Sequence, residues 1–351
     1  MSDHLKRVRK GNAYNRLGTI LPLMAAALVA VMLVGVAVGT VYVPVGRVFR
    51  IILTNWGLLP GTEFPGGQES IIYLVRFPRV IVAALTGAAL ATSGAVMQGM
   101  FRNPMADPGI LGISSGAGLG AVISIVLGLS ARSIFLLPLF ASAGAIAAVG
   151  AIYLLSVRKG KVPALTLILS GIAVSTFIGA ITSMILTNMK DYQMKAFIFW
   201  TIGSLKDKAW EHAGLIVLPV VVCILILFTF ARDLNLMLLG EEEAQSAGLD
   251  PSRTRRLLLL FTSITTAVTV SVCGPISFIG LIVPHIARLI TGPDHRVLIP
   301  VSAFGGAIFL VCCDMISRLA NETNVGIITS LLGAPYFLYL LVKARKEGTA
   351  L

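Results

Sequence analysis

Apolar stretches long enough to cross a membrane recur along almost the whole chain and are separated by short polar segments. An α-helix needs about 20 apolar residues to span a hydrocarbon core about 30 Å thick. Alternation over segments of about 10 residues, which marks the strands of a membrane β-barrel, does not occur in these stretches. The pattern predicts ten spanning helices at about residues 18–42, 76–100, 108–129, 133–157, 163–187, 211–232, 253–273, 277–292, 297–317 and 325–343.

The composition also favours a fold embedded in a bilayer. Among the 351 residues, 56% are hydrophobic and 13% are charged, and the mean hydropathy is +0.89. A soluble domain of this length is less apolar. Because backbone polar groups inside a bilayer must be satisfied internally, we predict an all-α membrane protein with one polytopic domain, residues 1–351. The apolar run at about 17–43 is longer than a signal-peptide core and predicts a retained first helix.

The basic residues predict the orientation of the chain. The net charge is +12, and most Lys and Arg residues lie between the apolar stretches. With the N-terminus inside, the inner segments hold eighteen of them, including a cluster at 158–161, and the outer segments hold ten. Positive charge is enriched on the cytoplasmic side of membrane proteins. We therefore predict that both termini are cytoplasmic and that the basic charge does not indicate a nucleic-acid partner.

Small residues and cysteines predict packing rather than chemistry. Gly112, Gly116 and Gly120 recur every four residues, and Gly305 is followed by Gly306. This spacing is typical of helices that pack backbone against backbone in membranes. The four cysteines lie in apolar stretches without ligand-like spacing, so we predict no metal site. They are Cys223, Cys273, Cys312 and Cys313.

Motifs for covalent chemistry or ATP binding are weak or missing. The segment Gly112–Gly116 matches the G-x-S-x-G pattern of hydrolases, which needs a preceding strand and acid and base partners. An intramembrane hydrolase using Ser114 or Ser115, with His285 as its base, remains an alternative. The chain contains no phosphate-binding loop, because Gly160 and Lys161 lack the rest of that motif. We predict no catalytic residue and no cofactor on this chain.

Three ionisable residues fall deepest in the predicted spans, at His285, Arg288 and Asp314. Such groups are costly in lipid and must face protein or water. Local pairing is the interpretation that the spacing favours. A proton relay in a transporter driven by an ion gradient is the alternative.

The longest polar stretch on the predicted inner side covers residues 233–256. Within it, Gly240, Ala244 and Gly248 recur every four residues, which predicts one helical face that another protein can approach closely. A solvated connecting loop is equally compatible with the spacing. The segment is therefore a candidate contact surface.

Arg76, Arg79 and Arg318 lie at the predicted outer ends of their helices, where positive charge is usually sparse. Arginine forms oriented pairs with carboxylates, so these residues are candidates for docking an acidic partner. Snorkelling to the interface, or a pair between Arg318 and Asp314 one helical turn away, explains them as well.

Six ordered segments between residues 17 and 345 resemble the permeases of the importers for iron-siderophores, haem and vitamin B12, the FecCD type of ATP-binding-cassette (ABC) transporter. The resemblance implies ten helices in a multi-pass protein of the bacterial cytoplasmic (inner) membrane. The segments are Arg76–Arg79, Gly87–Gln98, Asn103–Gly112, Cys273–His285, Asp294–Arg296 and Leu332–Pro335.

The same resemblance implies a set of partners. A second copy or a homologous permease completes the pathway, two cytoplasmic ATPase subunits bind ATP and Mg²⁺, and an external substrate-binding protein delivers the substrate. Arg76, Arg79 and Arg318 then match the residues that dock the binding protein. The expected substrate is an iron(III)-siderophore complex, with haem and vitamin B12 as alternatives. The residues expected to contact the ATPase are Leu239, Gly240, Glu243, Ala244 and Gly248.

Overall fold

The chain is mostly helical in the residues that the structure, a computed structural model, describes, which are 2–39, 41–60, 64–157 and 162–347. The basic cluster predicted at 158–161 lies outside these ranges. The described residues form fourteen α-helices and contain no strand. The helices are α1 (Ser2–Ala37), α2 (Val45–Asn55), α3 (Phe77–Phe101), α4 (Ile113–Val126), α5 (Leu136–Ser156), α6 (Ala164–Leu186), α7 (Asp191–Ile202), α8 (Trp210–Thr229), α9 (Ala231–Leu239), α10 (Glu241–Ser246), α11 (Pro251–Cys273), α12 (Ile279–Thr291), α13 (His295–Leu319) and α14 (Val325–Glu347).

Ten of these helices correspond to the ten predicted spans. Within the described ranges, seven helices are long and apolar enough to cross a membrane: α1, α3, α5, α6, α8, α11 and α13. Three shorter apolar helices, α4, α12 and α14, complete the set. The all-α membrane fold is therefore confirmed, with seven helices long enough to span and shorter apolar helices at the other three predicted positions.

Four short helices were not predicted: α2, α7, α9 and α10. They are too short to span a bilayer, so a search for apolar stretches of about 20 residues passes over them. In α2 the buried residues Val48, Ile51 and Ile52 share one side, which is the periodicity of a helix lying on the surface of a protein. A search for apolar residues at helical spacing over a shorter stretch of the sequence would have indicated α2.

Helix α3 is the centre of the bundle, and nearly all of its residues from Pro78 to Met100 are buried. Glycine lets its backbone approach its neighbours. A β-carbon at Gly87 would collide with the carbonyl of Gly306 on α13, and one at Gly94 would collide with the carbonyl of Gly280 on α12. Close backbone packing of this kind holds helices together where lipid removes the hydrophobic driving force.

The predicted role of the glycines in α4 is confirmed by its contact with α5. A β-carbon at Gly116 would collide with the carbonyl of Gly144, and one at Gly120 would collide with the carbonyl of Phe140. The G-x-S-x-G pattern thus begins a packed helix. It follows a 3₁₀ turn, Pro108–Leu111, where a hydrolase would need a strand.

The backbone is irregular where α11 ends and α12 has not yet begun. Gly274 and Phe278 have positive φ angles of 72° and 71°. The loop after α7 lies against this break, because the Ser204 amide donates to the Cys273 carbonyl at 2.8 Å. Gly326, at the start of α14, donates to the Gly203 carbonyl at 3.2 Å. The loop after α7 therefore pairs with backbone groups at the end of α11 and at the start of α14, as irregular backbone at membrane depth requires.

Candidate docking, coupling and transport sites

The three arginines proposed for docking lie together at one end of the bundle, which we call the arginine face. The exposed fractions of Arg76, Arg79 and Arg318 are 5%, 6% and 4%. Arg76 and Arg79 lie where α3 begins, and Arg318 lies in the last turn of α13. All three side chains are therefore buried within the chain.

Arg79 and Arg318 share the carboxylate of Asp314, which is fully buried on α13. Nε of Arg79 lies 2.9 Å from Oδ1 of Asp314, and Nε of Arg318 lies 3.1 Å from Oδ2. Arg79 also pairs through Nη1 with Glu322 at 2.7 Å. The local pairing predicted for Asp314 is thus confirmed, including the pair with Arg318 one turn away.

Arg76 and Arg318 also cap the C-terminal end of α1. Nη1 of Arg76 donates to the carbonyls of Val36 and Ala37 at 3.2 and 3.0 Å. Arg318 donates to the carbonyls of Val38 and Gly35 at 2.8 and 2.6 Å. The last carbonyls of a helix lack partners within it and carry partial negative charge, so two guanidinium groups stabilise this end.

These contacts give the arginines a structural role in joining α1, α3 and α13. Their docking of a partner stays a prediction, because the contacts of a single chain do not test it. The exposed cations of the arginine face lie in the loops and short helices around them, and none forms an ion pair within the described ranges. They are Arg50, Arg132, Lys190, Lys195 and Lys206.

Lys208 belongs to the same face but differs from these exposed cations. It lies in the loop before α8 and is partly buried. Burial lowers the pKa of its ammonium group, with an opposing influence from Asp207. Its charge is therefore less available to a partner than those of the exposed lysines.

The segment proposed to contact the ATPase lies at the opposite end, which we call the coupling face. It consists of α9, a break at Gly240 and the short helix α10. Gly240 has φ 145° and ψ 155°, a conformation that other residues rarely adopt, so the helix cannot continue through it. The predicted face of Gly240, Ala244 and Gly248 does not form, because Ala244 is 0% exposed and points inward.

The outward side of this segment is formed by other residues. Leu239 is 69% exposed at the end of α9. Glu242 and Glu243 of α10 are exposed, and so is Gly248 in the turn that follows, which has φ 84°. The segment thus exposes one large apolar side chain, Leu239, beside the acidic helix α10. Its contact with an ATPase stays a prediction.

Arg255 joins the coupling segment to a loop between two spanning helices. Its side chain is buried near the start of α11. Nη2 lies 2.5 Å from Oε1 of Glu241, the first residue of α10. Nη1 donates at 2.7 Å to the carbonyl of Val162, two residues before α6. One guanidinium group therefore connects α10, α11 and the entry to α6.

A second link ties α9 to the core through Asn235. Its Nδ2 donates to Oδ1 of Asp294 at 2.6 Å, and its Oδ1 accepts from the His295 amide at 2.9 Å. His295 is 1% exposed, and its ring fills the space that a side chain at Gly99 of α3 would need. These contacts connect α9 to α13 and, through the His295 ring, to α3.

Arg255, Glu241 and Asn235 were not predicted as functional residues from the sequence, where Arg255 was one of the eighteen basic residues of the inner segments. No local pattern indicates these links, because the partners are separated by 93 residues for Arg255 and Val162 and by 59 for Asn235 and Asp294. Asp294 and His295 were noticed, but only as part of the resemblance.

The irregular backbone between α11 and α12 opens onto a groove of about 460 Å³. The hydroxyl-bearing residues Thr201, Ser277 and Ser330 line it together with Pro275 and Gly326. Broken helices that line a cavity are a recurrent feature of transport pathways. This groove is the candidate transport site.

Comparisons with known proteins agree over nearly the whole chain. The model of the FecCD transport family matches residues 27–343. The cobalamin import system permease protein of Halobacterium salinarum is 48% identical over 278 residues, or 79% of this chain and 74% of that protein. The iron(3+)-hydroxamate import system permease protein of Bacillus subtilis is 40% identical over 289 residues, or 79% and 85% of the two chains. A solved transporter described as inward-facing and of the metal-chelate ABC type has a TM-score of 0.81 at 28% identity, covering 93% of this chain and 99% of that one.

Proposed function

This chain belongs to the FecCD transport family, and on that premise we propose that it carries cobalamin across the cytoplasmic membrane of a bacterium as the permease subunit of an ABC importer. The match of the FecCD family model over residues 27–343 is the observation that supports an importer permease. The chain is a multi-pass membrane permease for a metal chelate, and it provides a passage without covalent chemistry.

The choice of chelate rests on the relatives. A cobalamin permease of Halobacterium salinarum is 48% identical to this chain, an iron(3+)-hydroxamate permease is 40% identical, and vitamin B12 permeases of Salmonella are 36% identical. The 48% identity to the Halobacterium permease is the observation that favours cobalamin over the iron(III)-siderophore expected from the sequence, which becomes the second candidate. Haem is the third. All three are bulky chelates, so the same passage suits each of them.

A second copy of the chain is proposed to complete the passage. The groove at Thr201, Ser277 and Ser330 is open on one side, and its hydroxyl groups offer polar contacts to a cargo. Two such grooves facing each other make a closed passage at the subunit interface. A homologous permease in place of the second copy gives the same arrangement.

Two ATPase subunits are proposed to act on the coupling face. They supply ATP and Mg²⁺ binding, for which the sequence offers no phosphate loop. An ATPase that binds Leu239 and α10 moves them together. The contacts of Arg255 and Asn235 then transmit this movement to α6, α11 and α13. This is alternating access in which movement of the short helices α9 and α10 drives movement of the spanning helices.

A substrate-binding protein is proposed to dock on the arginine face. The exposed cations around Arg50 and Lys190 attract acidic side chains before contact. Arg76, Arg79 and Arg318 hold the shape of this face, and their direct contact with the partner belongs to the same proposal. Charge reversal of Arg76 and Arg318 affects both roles, so assembly of the transporter is measured beside its stimulation by the binding protein. A docking role alone leaves assembly intact, whereas loss of the α1 cap destabilises the chain.

Uptake into liposomes tests the proposed function. The permease is reconstituted with its ATPase and binding protein, and labelled cobalamin, an iron(III)-hydroxamate complex and haem are supplied outside with ATP inside. We expect ATP-dependent accumulation of cobalamin, with the other two at background. Accumulation of the iron complex alone would assign the second candidate.

A matched control uses the permease without the ATPase subunits. We expect no uptake from this preparation. Uptake driven by a proton gradient in the absence of ATPase subunits would reject the importer and support the alternative of a secondary transporter.

A further inference from the structure

A second groove, unrelated to the candidate passage, lies between α5 and α11. Its volume is about 520 Å³. Its walls are almost entirely apolar, with Ile146 and Val149 from α5 and Leu257 and Ile264 from α11. An open apolar groove of this size between two spanning helices needs an occupant other than water.

One end of this groove is basic. Arg253 and Arg256, in the first two turns of α11, line its mouth and are exposed. Neither forms an ion pair within the residues that the structure describes. The start of a helix carries partial positive charge, which disfavours further cations there. Two unpaired arginines at this position are stabilised if an anion lies between them.

The length of the groove fits one leaflet of a bilayer. Arg253 and Ile264 are eleven residues apart on α11, which is about 16 Å along a helix that rises about 1.5 Å per residue. Half of a hydrocarbon core about 30 Å thick is about 15 Å. The arginines therefore lie at headgroup level when the apolar part lies at acyl-chain level.

The space in the groove is kept open by a glycine. Gly150 of α5 lines the groove, and a β-carbon built on it meets nothing within 4 Å. The other glycines that α5 and α4 contribute to their interface have no such room, since Gly116 and Gly144 collide with backbone. Gly150 is thus not needed for helix packing, and a larger residue there would fill the groove.

We propose that this groove binds an anionic phospholipid, with its phosphate between Arg253 and Arg256 and one acyl chain along α5 and α11. Arginine pairs phosphate through two parallel hydrogen bonds. Basic pockets between spanning helices bind anionic headgroups. A neutral headgroup leaves the two cations unpaired, so the site selects for net negative charge.

Native mass spectrometry of the purified permease tests the proposal. The protein is titrated with phosphatidylglycerol and, in parallel, with phosphatidylcholine of the same chains. We expect phosphatidylglycerol to bind at least about tenfold more tightly, and R253Q/R256Q to remove that preference. The matched control R102Q/R232Q removes two exposed arginines outside the groove and leaves the preference intact.

A second variant tests the acyl-chain part and keeps the proposal testable if the arginine variant misfolds. Gly150→Phe fills the groove while leaving both arginines in place, and we expect it to weaken phosphatidylglycerol binding about tenfold. Gly214→Phe on α8, where a β-carbon also meets nothing within 4 Å, is its control. Equal binding by Gly150→Phe and Gly214→Phe would overturn the proposal. Competition by glycerol phosphate as strong as that by the lipid would overturn it too, because the groove would then recognise the phosphate alone.

Discussion

Replacing Asp314 by Asn removes the one carboxylate that joins Arg79 and Arg318. The substitution keeps the size and planarity of the side chain and deletes only its charge. Asp314 is fully buried, with Arg79 at 2.9 Å and Arg318 at 3.1 Å. The variant leaves two buried guanidinium groups with Glu322 as their remaining acidic partner in the cluster.

The expected cost follows from this burial. Breaking a buried ion pair by removing one partner costs about 3–5 kcal/mol, because the other charge stays desolvated and unpaired. The Asn oxygen can still accept one hydrogen bond from Arg79, so we expect about 3 kcal/mol. Glu322→Gln is the matched control. The Glu322 side chain is 35% exposed and pairs once, so its loss costs about 1 kcal/mol or less.

Both variants are measured as changes in the free energy of unfolding, by reversible denaturation in SDS followed by circular dichroism. Stimulation of ATP hydrolysis by the binding protein is measured on the assembled transporter below the unfolding temperature of each variant. We expect Asp314→Asn to lose stability and Glu322→Gln to remain close to the unchanged protein. If Asp314→Asn were as stable as Glu322→Gln, the structural role of the cluster would be refuted. Docking of a partner would then be the remaining role proposed for the arginines.

Three further predictions concern coupling, packing and pH. Arg255→Gln should lower uptake per ATP hydrolysed about tenfold, which corresponds to about 1.4 kcal/mol, while ATP hydrolysis itself continues. If uptake and hydrolysis fell together, the proposed role of Arg255 in transmitting movement from α10 would be contradicted. Gly306→Leu should lower the free energy of unfolding by about 1–3 kcal/mol or more, because the new side chain would collide with the Gly87 backbone. In the same denaturation assay, the control Gly214→Leu should change the free energy of unfolding by no more than about 0.5 kcal/mol. Burial raises the pKa of Asp107, in the loop between α3 and α4, so the folded chain loses stability as pH rises from the ordinary Asp pKa of about 3.9 through the raised value. Asp107→Asn keeps an acceptor for the Gly109 amide and should therefore be the more stable form at pH 7 but not at pH 4; equal gains at both pH values would contradict the assignment.

The helices and their packing were largely predictable because the signals are local. About 20 consecutive apolar residues identify a spanning helix without knowledge of its neighbours. The four-residue spacing of Gly112, Gly116 and Gly120 likewise predicts a close helix contact, and the partners Gly144 and Phe140 on α5 bear it out. The short helices were missed because they obey a different constraint, the burial of one side against the bundle.

The sites were predicted less well because their partners are distant in sequence. Three arginines at the ends of predicted spans drew attention as unusual, but their partners lie up to 283 residues away, as in the bond from Arg318 to Gly35. The face expected from Gly240, Ala244 and Gly248 failed for a local reason. Spacing assumes a continuous helix, and the φ angle of 145° at Gly240 breaks it.

The sequence by itself determined that this chain spans a membrane about ten times, lacks an ATP-binding loop and resembles one family of importers. These properties depend on composition, on local periodicity and on the order of motifs. Only the tertiary structure decided what each charged residue contacts. The energetic cost of burying Arg79, Arg255 or Asp314 depends on the groups that folding brings within about 3 Å, and that distance is set by the packing of helices far apart in the chain.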